Sequence, residues 1–377
     1  MTPRVHTTIA SALCGLALSV LPTAAVGQLS FEERVDSLAA AKIAAGPLAG
    51  IQIGVARGGK VIFARGYGMA SIELNVPATT RTVYRIGSVT KQFTAAAIMQ
   101  LVEQGKVSLD DEITKYIPGF PTQGHKVTVH HLLTHTSGIK SYTSLPSWEK
   151  QQLLDLTHDE LLALIANEPF DFAPGEQWRY NNTGYYLLGM IVEKASGQPF
   201  DEYLEQHIFR PAGMPSSSYC HERSIVPNRA QGYEAKDGEL VNDGHISMNT
   251  PGGAGALCST VTDLIRWTDA LSKHRVVSAE SYRTMTTPAS FGDGQTTLGR
   301  PGQRGGDVSY GYGLMLSKVD GHRRVAHGGG INGFRTQLAH YPDDDLVVAV
   351  LINSGGNPGE IEALVAKWAL AARDAIP

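Results

Sequence analysis

The chain has 377 residues, 42% hydrophobic and 18% charged, with 32 Lys and Arg against 36 Asp and Glu and a formal net charge of −4. That length allows one large or two ordinary domains and a core that needs no disulfide staples, and the acidic balance excludes a polyanion binder, which needs a basic face. The 41 glycines and 19 prolines are scattered, which excludes collagen-like and low-complexity chains.

Residues 1–27 read as a cleaved targeting signal. Arg4 supplies the positive start, Ile9 to Leu21 is an apolar run that includes Cys14, Pro22 breaks it, and Ala25, Val26 and Gly27 place small residues before Gln28. The expected location is the periplasm or the exterior, with no stable membrane span once the leader is removed. Beyond it no apolar run reaches the length of a span. Two cysteines remain, Cys220 and Cys258. An oxidising compartment permits a bond between them; two separate buried thiols fit the sequence equally well.

Phe31 to Ala45 has helical spacing and stops at Gly46-Pro47. Gly50 to Arg57, a Gly58-Gly59 turn and Lys60 to Arg65 predict a β-hairpin. Helical patterns then fall at about 89–104, 128–135, 157–167, 183–196, 200–208 and 261–273, with a Thr157–Glu160 capping box. Segment 215–256 is irregular and too long for an ordinary connection, so it is expected to pack around a site. Strands return at Gly311 to Ser317, Arg323 to His327, Phe334 to Tyr341 and Leu346 to Asn353, before a last helix at about 358–374. The order predicts an α+β fold: one antiparallel sheet built from both chain ends and flanked by helices, with a helical region inserted. The expected organisation is a single module over 28–377. Its α/β region covers about 28–85 and 300–377, and its mainly helical region about 86–299.

A G-x-S-x-G nucleophile elbow and a phosphate loop are both absent from the sequence. His131 and His135 stand at i,i+4, the spacing of a zinc pair, but Leu132 replaces the glutamate of the hydrolytic motif and no third ligand is evident. They read as structural histidines. Ser-x-x-Lys occurs three times: Ser88-Val-Thr-Lys91, Ser137-Gly-Ile-Lys140 and Ser147-Trp-Glu-Lys150. At a helix start the motif sets an amine beside a hydroxyl, where a neutral Lys can take the proton. Ser88 opens a long helix with small residues Ala95, Ala96 and Ala97, suited to close packing. Ser137 lies in a turn, and Ser147 after Pro146 reads as an N-cap. Tyr180-Asn181-Asn182 precedes another helix. A Tyr near a cation can have its pKa lowered enough to act as a base, and Asn182 can orient a substrate amide and contact the Lys. Ser247-Met-Asn249 is a rival element without a clear helix to rest on. His327-Gly328-Gly329-Gly330 ends a predicted strand, where glycines let a substrate backbone lie close and the Gly330 N–H can face the site.

These motifs, in this order, resemble the penicillin-recognising serine hydrolases, and within them the class C β-lactamase, DD-peptidase and esterase branch. Val129-His-His-Leu-Leu-Thr-His-Thr-Ser-Gly138, Tyr180-Asn-Asn-Thr-Gly-Tyr-Tyr-Leu-Leu-Gly189 and Gly252-Gly-Ala-Gly-Ala-Leu-Cys-Ser-Thr260 support the resemblance, which spans roughly residues 31–370. It implies a β-lactamase/transpeptidase-like fold with the site in the cleft between its two regions. Ser88 is then the acylated nucleophile, Lys91 and Tyr180 share proton transfer, and Asn182, His327, Gly329 and Gly330 bind substrate. The amides of Ser88 and Gly330 would form the oxyanion hole. No metal or organic cofactor is implied, and the partner is a small molecule or short peptide. His327 stands where many members carry Lys. A largely neutral His weakens the β-lactamase reading, unless Arg335 supplies the charge. The expectation is therefore an exported serine hydrolase of D-amino-acid peptides, small esters or β-lactams. The alternatives are an acylatable sensor domain that does not turn over, and metal-dependent hydrolysis through His131 and His135.

Overall fold

The computed structural model describes residues 29–298 and 307–372. The proposed leader, residues 1–27, lies outside the described residues, as do the start of the C-terminal α/β region and the last residues of the expected final helix. Among the described residues no helix is long and apolar enough to cross a membrane.

Helix α1 (Phe31–Ala44) starts at a capping box in which Ser30 and Glu33 satisfy each other's backbone N–H groups. Strands β1 (Gly50–Arg57) and β2 (Lys60–Ser71) form the expected hairpin, followed by a short β3 (Val76–Pro77). Gly58 and Gly59 both have positive φ, which a two-residue hairpin turn requires. The inserted region carries helices α2 (Thr90–Glu103), α3 (Asn182–Ser196) and α4 (Val261–Ser272). The chain then returns through β4 (Ser309–Tyr310), β5 (Met315–Val319), β6 (His322–Ile331), β7 (Phe334–Tyr341) and β8 (Leu346–Ile352), and α5 (Pro358–Ala371) closes it.

The sheet order is β3-β2-β1-β8-β7-β6-β5-β4. The two chain ends meet where β1 pairs antiparallel with β8, Ile51 opposite Ile352. All seven residues of β8 are buried, because both faces of the sheet are covered. Val348, Val350 and Ile352 pack with Val35, Ala39, Ile361 and Val365 of α1 and α5. Val347, Ala349 and Leu351 face the other way, into the core that holds Leu264, Ile265 and Trp267 of α4. The period-two alternation thus assigns each apolar side chain to one of two cores.

Several expected boundaries shift. Of the strand expected over 311–317 only Met315–Ser317 is extended, as the start of β5; residues 311–314 turn between β4, which precedes the expected range, and β5. The strand expected to end at His327 continues through the three glycines to Ile331, since β7 supplies partners as far as Phe334. The 128–135 helix is only Val129–Leu133, and His135 adopts a positive φ of 60°. The 200–208 helix breaks into an α segment, Phe200–Leu204, and a π segment, Glu205–Phe209. The 215–256 segment contains a hairpin (Tyr233–Lys236 and Glu239–Asn242) and a tight turn at Gly252–Ala254. Just after that turn, Leu257–Ser259 pairs with Tyr84–Arg85 on one side and Ser218–Tyr219 on the other. Cys220 and Cys258 are joined by a disulfide, their Cα atoms 5.3 Å apart.

Candidate active site

Ser88 sits in a single 3₁₀ turn, Gly87–Val89, that runs directly into α2. The first residues of α2 are buried throughout, so Lys91, one turn beyond Ser88, projects into the protein interior and is fully buried. Its Nζ lies 3.2 Å from Ser88 Oγ and 2.8 Å from both Asn182 Oδ1 and the Ala254 carbonyl oxygen. No carboxylate pairs with it among the described residues. Burial therefore acts unopposed and holds the Lys91 amine well below the usual lysine range.

The other two Ser-x-x-Lys elements separate cleanly. Lys140 forms an ion pair with Asp171, and Lys150 is exposed. Ser147 does occupy an N-cap position, but its side chain makes no capping bond. Ser247 and Asn249 both bond to Asp155. His131 accepts the Thr128 N–H through Nδ1, whereas His135 accepts the Asn181 N–H. The i,i+4 histidines thus turn to different partners, and no group of three metal-ligating side chains occurs among the described residues.

Tyr180 reaches the site from just before α3 and Asn182 from its first position; the N-cap between them, Asn181, accepts the Gly184 N–H at 2.8 Å. Lys91 Nζ lies 4.7 Å from the centre of the Tyr180 ring. The Tyr180 hydroxyl is buried and makes no hydrogen bond of normal geometry. Its pKa is raised by burial, with the Ser88 hydroxyl pulling the other way. This reverses the sequence expectation of a phenol made acidic by a neighbouring cation: burial outweighs the nearby Lys91, whose own charged form burial disfavours. Asn182 Nδ2 donates to Thr143 Oγ1 at 3.0 Å, so its amide is locked between Lys91 and Thr143.

The glycine strand β6 crosses in front of Ser88. A β-carbon on Gly329 would overlap the Ile86 carbonyl oxygen, and one on Gly87 would fall 2.9 Å from Gly330 N. The backbones touch, so Gly329 is required by main-chain packing as well as by access. Ser88, Asn182 and Gly330 line a cleft of about 130 Å³ with Thr143, Trp148 and Gln152. It adjoins a recess of about 840 Å³ through Gln152, Gly330, Ile331 and Asn332. His327 does not open onto this cleft. It is 2% exposed, its Nε2 is 3.1 Å from the Tyr310 hydroxyl, and its Nδ1 is 2.6 Å from the Gly328 carbonyl oxygen. Burial, with Lys91 nearby, lowers its pKa to about 3.

The Ala254 carbonyl, Thr143, His135 and Tyr310 are contributors the motif reading misses. His135 lies within a quoted stretch, but nothing local marks Tyr310 or a backbone oxygen.

A serine beside a buried lysine whose charge burial disfavours, at the edge of an antiparallel sheet that meets a helical region, defines a serine hydrolase of the Ser-x-x-Lys kind. The chain belongs to the β-lactamase family, whose profile matches residues 35–372. It is 30% identical to penicillin-binding protein 4* of Bacillus subtilis over 79% of this chain and 66% of that one. To a D-aminopeptidase of Gluconobacter oxydans it is 28% identical, over 86% of this chain and 59% of that one. The chain thus spans about three fifths to two thirds of these curated relatives. Among solved structures it is similar to the octameric penicillin-binding protein homologue from Pyrococcus abyssi, with TM-score 0.77, 33% identity and coverage of 91% and 78%. It is also similar to the D-amino acid amidase from Ochrobactrum anthropi SV3, with TM-score 0.78, 25% identity and coverage of 91% and 99%.

Proposed function

We propose that this protein is an exported serine hydrolase that cleaves amide or ester bonds through an acyl-enzyme on Ser88, with D-amino-acid amides and short peptides as its substrate class. The observation that carries the reading is the buried Lys91 amine 3.2 Å from Ser88 Oγ, with no carboxylate to keep it charged. A neutral amine there accepts the serine proton as Oγ attacks the substrate carbonyl. Tyr180, a neutral phenol above the same hydroxyl, passes a proton to the leaving amine or alcohol and is reprotonated from Lys91. The amides of Ser88 and Gly330 stabilise the developing oxyanion. Water then attacks the acyl carbonyl, returning the proton to Ser88 and releasing the acid.

The kinship with D-aminopeptidases and a D-amino acid amidase supports the stereochemical class. The withdrawal of His327 from the cleft supports substrates that need no cation there. A second reading, a carboxypeptidase or a β-lactamase, is favoured by Arg335. Its side chain packs beside Gly330, within 3.8–4.0 Å of where a β-carbon would stand. It donates to the Ile331 and Phe334 carbonyls and forms no ion pair among the described residues, which leaves guanidinium capacity for a substrate carboxylate. The leader over residues 1–27 and the disulfide support export.

Purified protein assayed on D- and L-amino-acid p-nitroanilides, p-nitrophenyl esters, a D-Ala-D-Ala peptide and a chromogenic cephalosporin tests both readings. Expected are turnover of the D-anilide over the L-anilide and an acyl adduct on Ser88 by mass spectrometry. Preference for the free-carboxylate peptide or the cephalosporin selects the second reading. An adduct that never deacylates on any substrate overturns both in favour of a sensor.

A further inference from the structure

His135 and Tyr310 belong to none of the roles above, yet both are buried, 1% exposed each, beside the proton-transfer groups. His135 clasps the residues on either side of Tyr180. Its carbonyl accepts the Arg179 N–H at 3.0 Å, its Nδ1 accepts the Asn181 N–H at 3.1 Å, and its ring lies 4.4 Å from the Tyr180 ring, centre to centre. Its Nε2 lies 3.1 Å from the Tyr310 hydroxyl, which is in turn 3.1 Å from His327 Nε2.

The ends of this series dictate its direction. The Asn181 N–H can only donate, so His135 Nδ1 is unprotonated and a neutral ring carries its proton on Nε2. The Gly328 carbonyl can only accept, so His327 carries its proton on Nδ1 and its Nε2 accepts. Tyr310 therefore accepts from His135 and donates to His327. The series runs from the backbone N–H of Asn181 to a backbone carbonyl in the glycine strand, with the Tyr185 hydroxyl a further neighbour of Tyr310. Protonating His135 Nδ1 would set it against the Asn181 N–H, and protonating His327 Nε2 would force the Tyr310 hydroxyl to turn its proton away from His327. Lys91, which faces both rings, and the Tyr180 and Tyr185 phenols around it supply no negative charge to offset that.

We propose that His135 and Tyr310 are positioning residues of this hydrolase: with His327 they form one directed hydrogen-bond chain that ties the Tyr180–Asn182 turn to the glycine strand across the cleft and holds the Tyr180 ring against Lys91. The role of Tyr180 in proton transfer rests on the function proposed above; the hydrogen-bond directions do not. In this arrangement His327 is the strand-side anchor of the chain. A charged lysine there could not accept from Tyr310, an ammonium having no acceptor.

Two measurements test it. Long-range ¹H–¹⁵N spectra of the ¹⁵N-histidine-labelled full protein at pH 7 should show two neutral rings of opposite tautomer, His135 protonated on Nε2 and His327 on Nδ1, assigned by His135→Asn and His327→Gln. The same tautomer in both, or a doubly protonated ring, overturns the chain whatever the substrate. In Tyr310→Phe the accepting His327 Nε2 should shift to the position of an unbonded nitrogen; an unmoved resonance overturns it. Tyr310→Phe should lower kcat on the best ester at least about 10-fold, and His135→Ala about 100-fold, with KM within about 3-fold, since misplacing a reacting group costs rate rather than binding. His135→Asn keeps an acceptor for the Asn181 N–H and should recover part of the His135→Ala loss. Unchanged kcat in folded Tyr310→Phe, or a loss carried by KM alone, overturns the positioning role. Absence of activity in the wild type would fail the proposed function, and the spectra would still decide the chain.

Discussion

Lys91 Nζ stands 3.2 Å from Ser88 Oγ, and burial holds its amine well below the usual lysine range. The two side chains are one helical turn apart, so the pairing is local. The proton affinity of the amine is set by the whole fold, which closes over α2 and leaves it two neutral oxygens, those of Asn182 and Ala254.

Ser88→Ala should abolish turnover and labelling by a serine-directed fluorophosphonate. Ser147→Ala should leave both intact, because its lysine is exposed. Labelling that survives in Ser88→Ala, measured by mass spectrometry of the tryptic peptide, would remove Ser88 as the nucleophile.

Lys91→Ala and Tyr180→Phe should each lower kcat at least about 10²-fold. The double variant should fall far short of the product of the two, because they move one proton. Multiplicative losses would separate their roles.

The pH profile follows from the same burial. Lys91 must be neutral to accept the proton, so kcat/KM should rise with pH and reach half its plateau well below the ordinary lysine value of about 10.4. A half-point near that value would show a solvated, charged amine at rest.

Gly329 and Gly330 should respond unequally to alanine. At Gly329 the methyl group meets the Ile86 carbonyl, a backbone atom that cannot swing away, so Gly329→Ala should cost several-fold more stability than Gly330→Ala. At Gly330 the nearest atom is the flexible Arg335 side chain at 3.8 Å, and the variant should unfold within a few degrees of wild type. Thermal denaturation by circular dichroism checks both.

Acid should destabilise the fold through its buried imidazoles. The pKa of His327 is lowered to about 3 and that of His340 to about 4, against about 6.5 in the unfolded chain. Between those values the unfolded state binds more protons, so stability is full above pH 6.5 and is lost as pH falls toward 3–4. Urea midpoints at pH 7 and pH 5 should show the decline, and His340→Gln should reduce its slope.

How much of this is legible along the chain differs between elements. The β-hairpin is written locally, because Gly58 and Gly59 meet the turn's need for positive φ and the apolar runs flank them. The helix behind Ser88 is equally plain, and the apolar runs of β7 and β8 announce strands, since period and turn chemistry involve neighbours only. The ends of elements are less legible. Strand β6 runs through three glycines only because β7 lies alongside with partners for them, and the helix expected to reach His135 stops two residues short because that side chain is captured by the Asn181 N–H.

The sequence by itself determined the residue types, their order and the local geometry that sets Ser88 one turn before Lys91. The tertiary structure decided what those groups are. It lowered the pKa of Lys91 by burying it without a carboxylate, and burial likewise raised that of the Tyr180 phenol. It turned His327 away from the cleft onto Tyr310, placed Arg335 beside Gly330, and joined Cys220 to Cys258. Local spacing fixes distances within a few residues. Charge state and hydrogen-bond direction depend on desolvation and on partners far away in the chain, such as Tyr310 for His135, and those exist only once the two ends of the sheet have closed on the helical region.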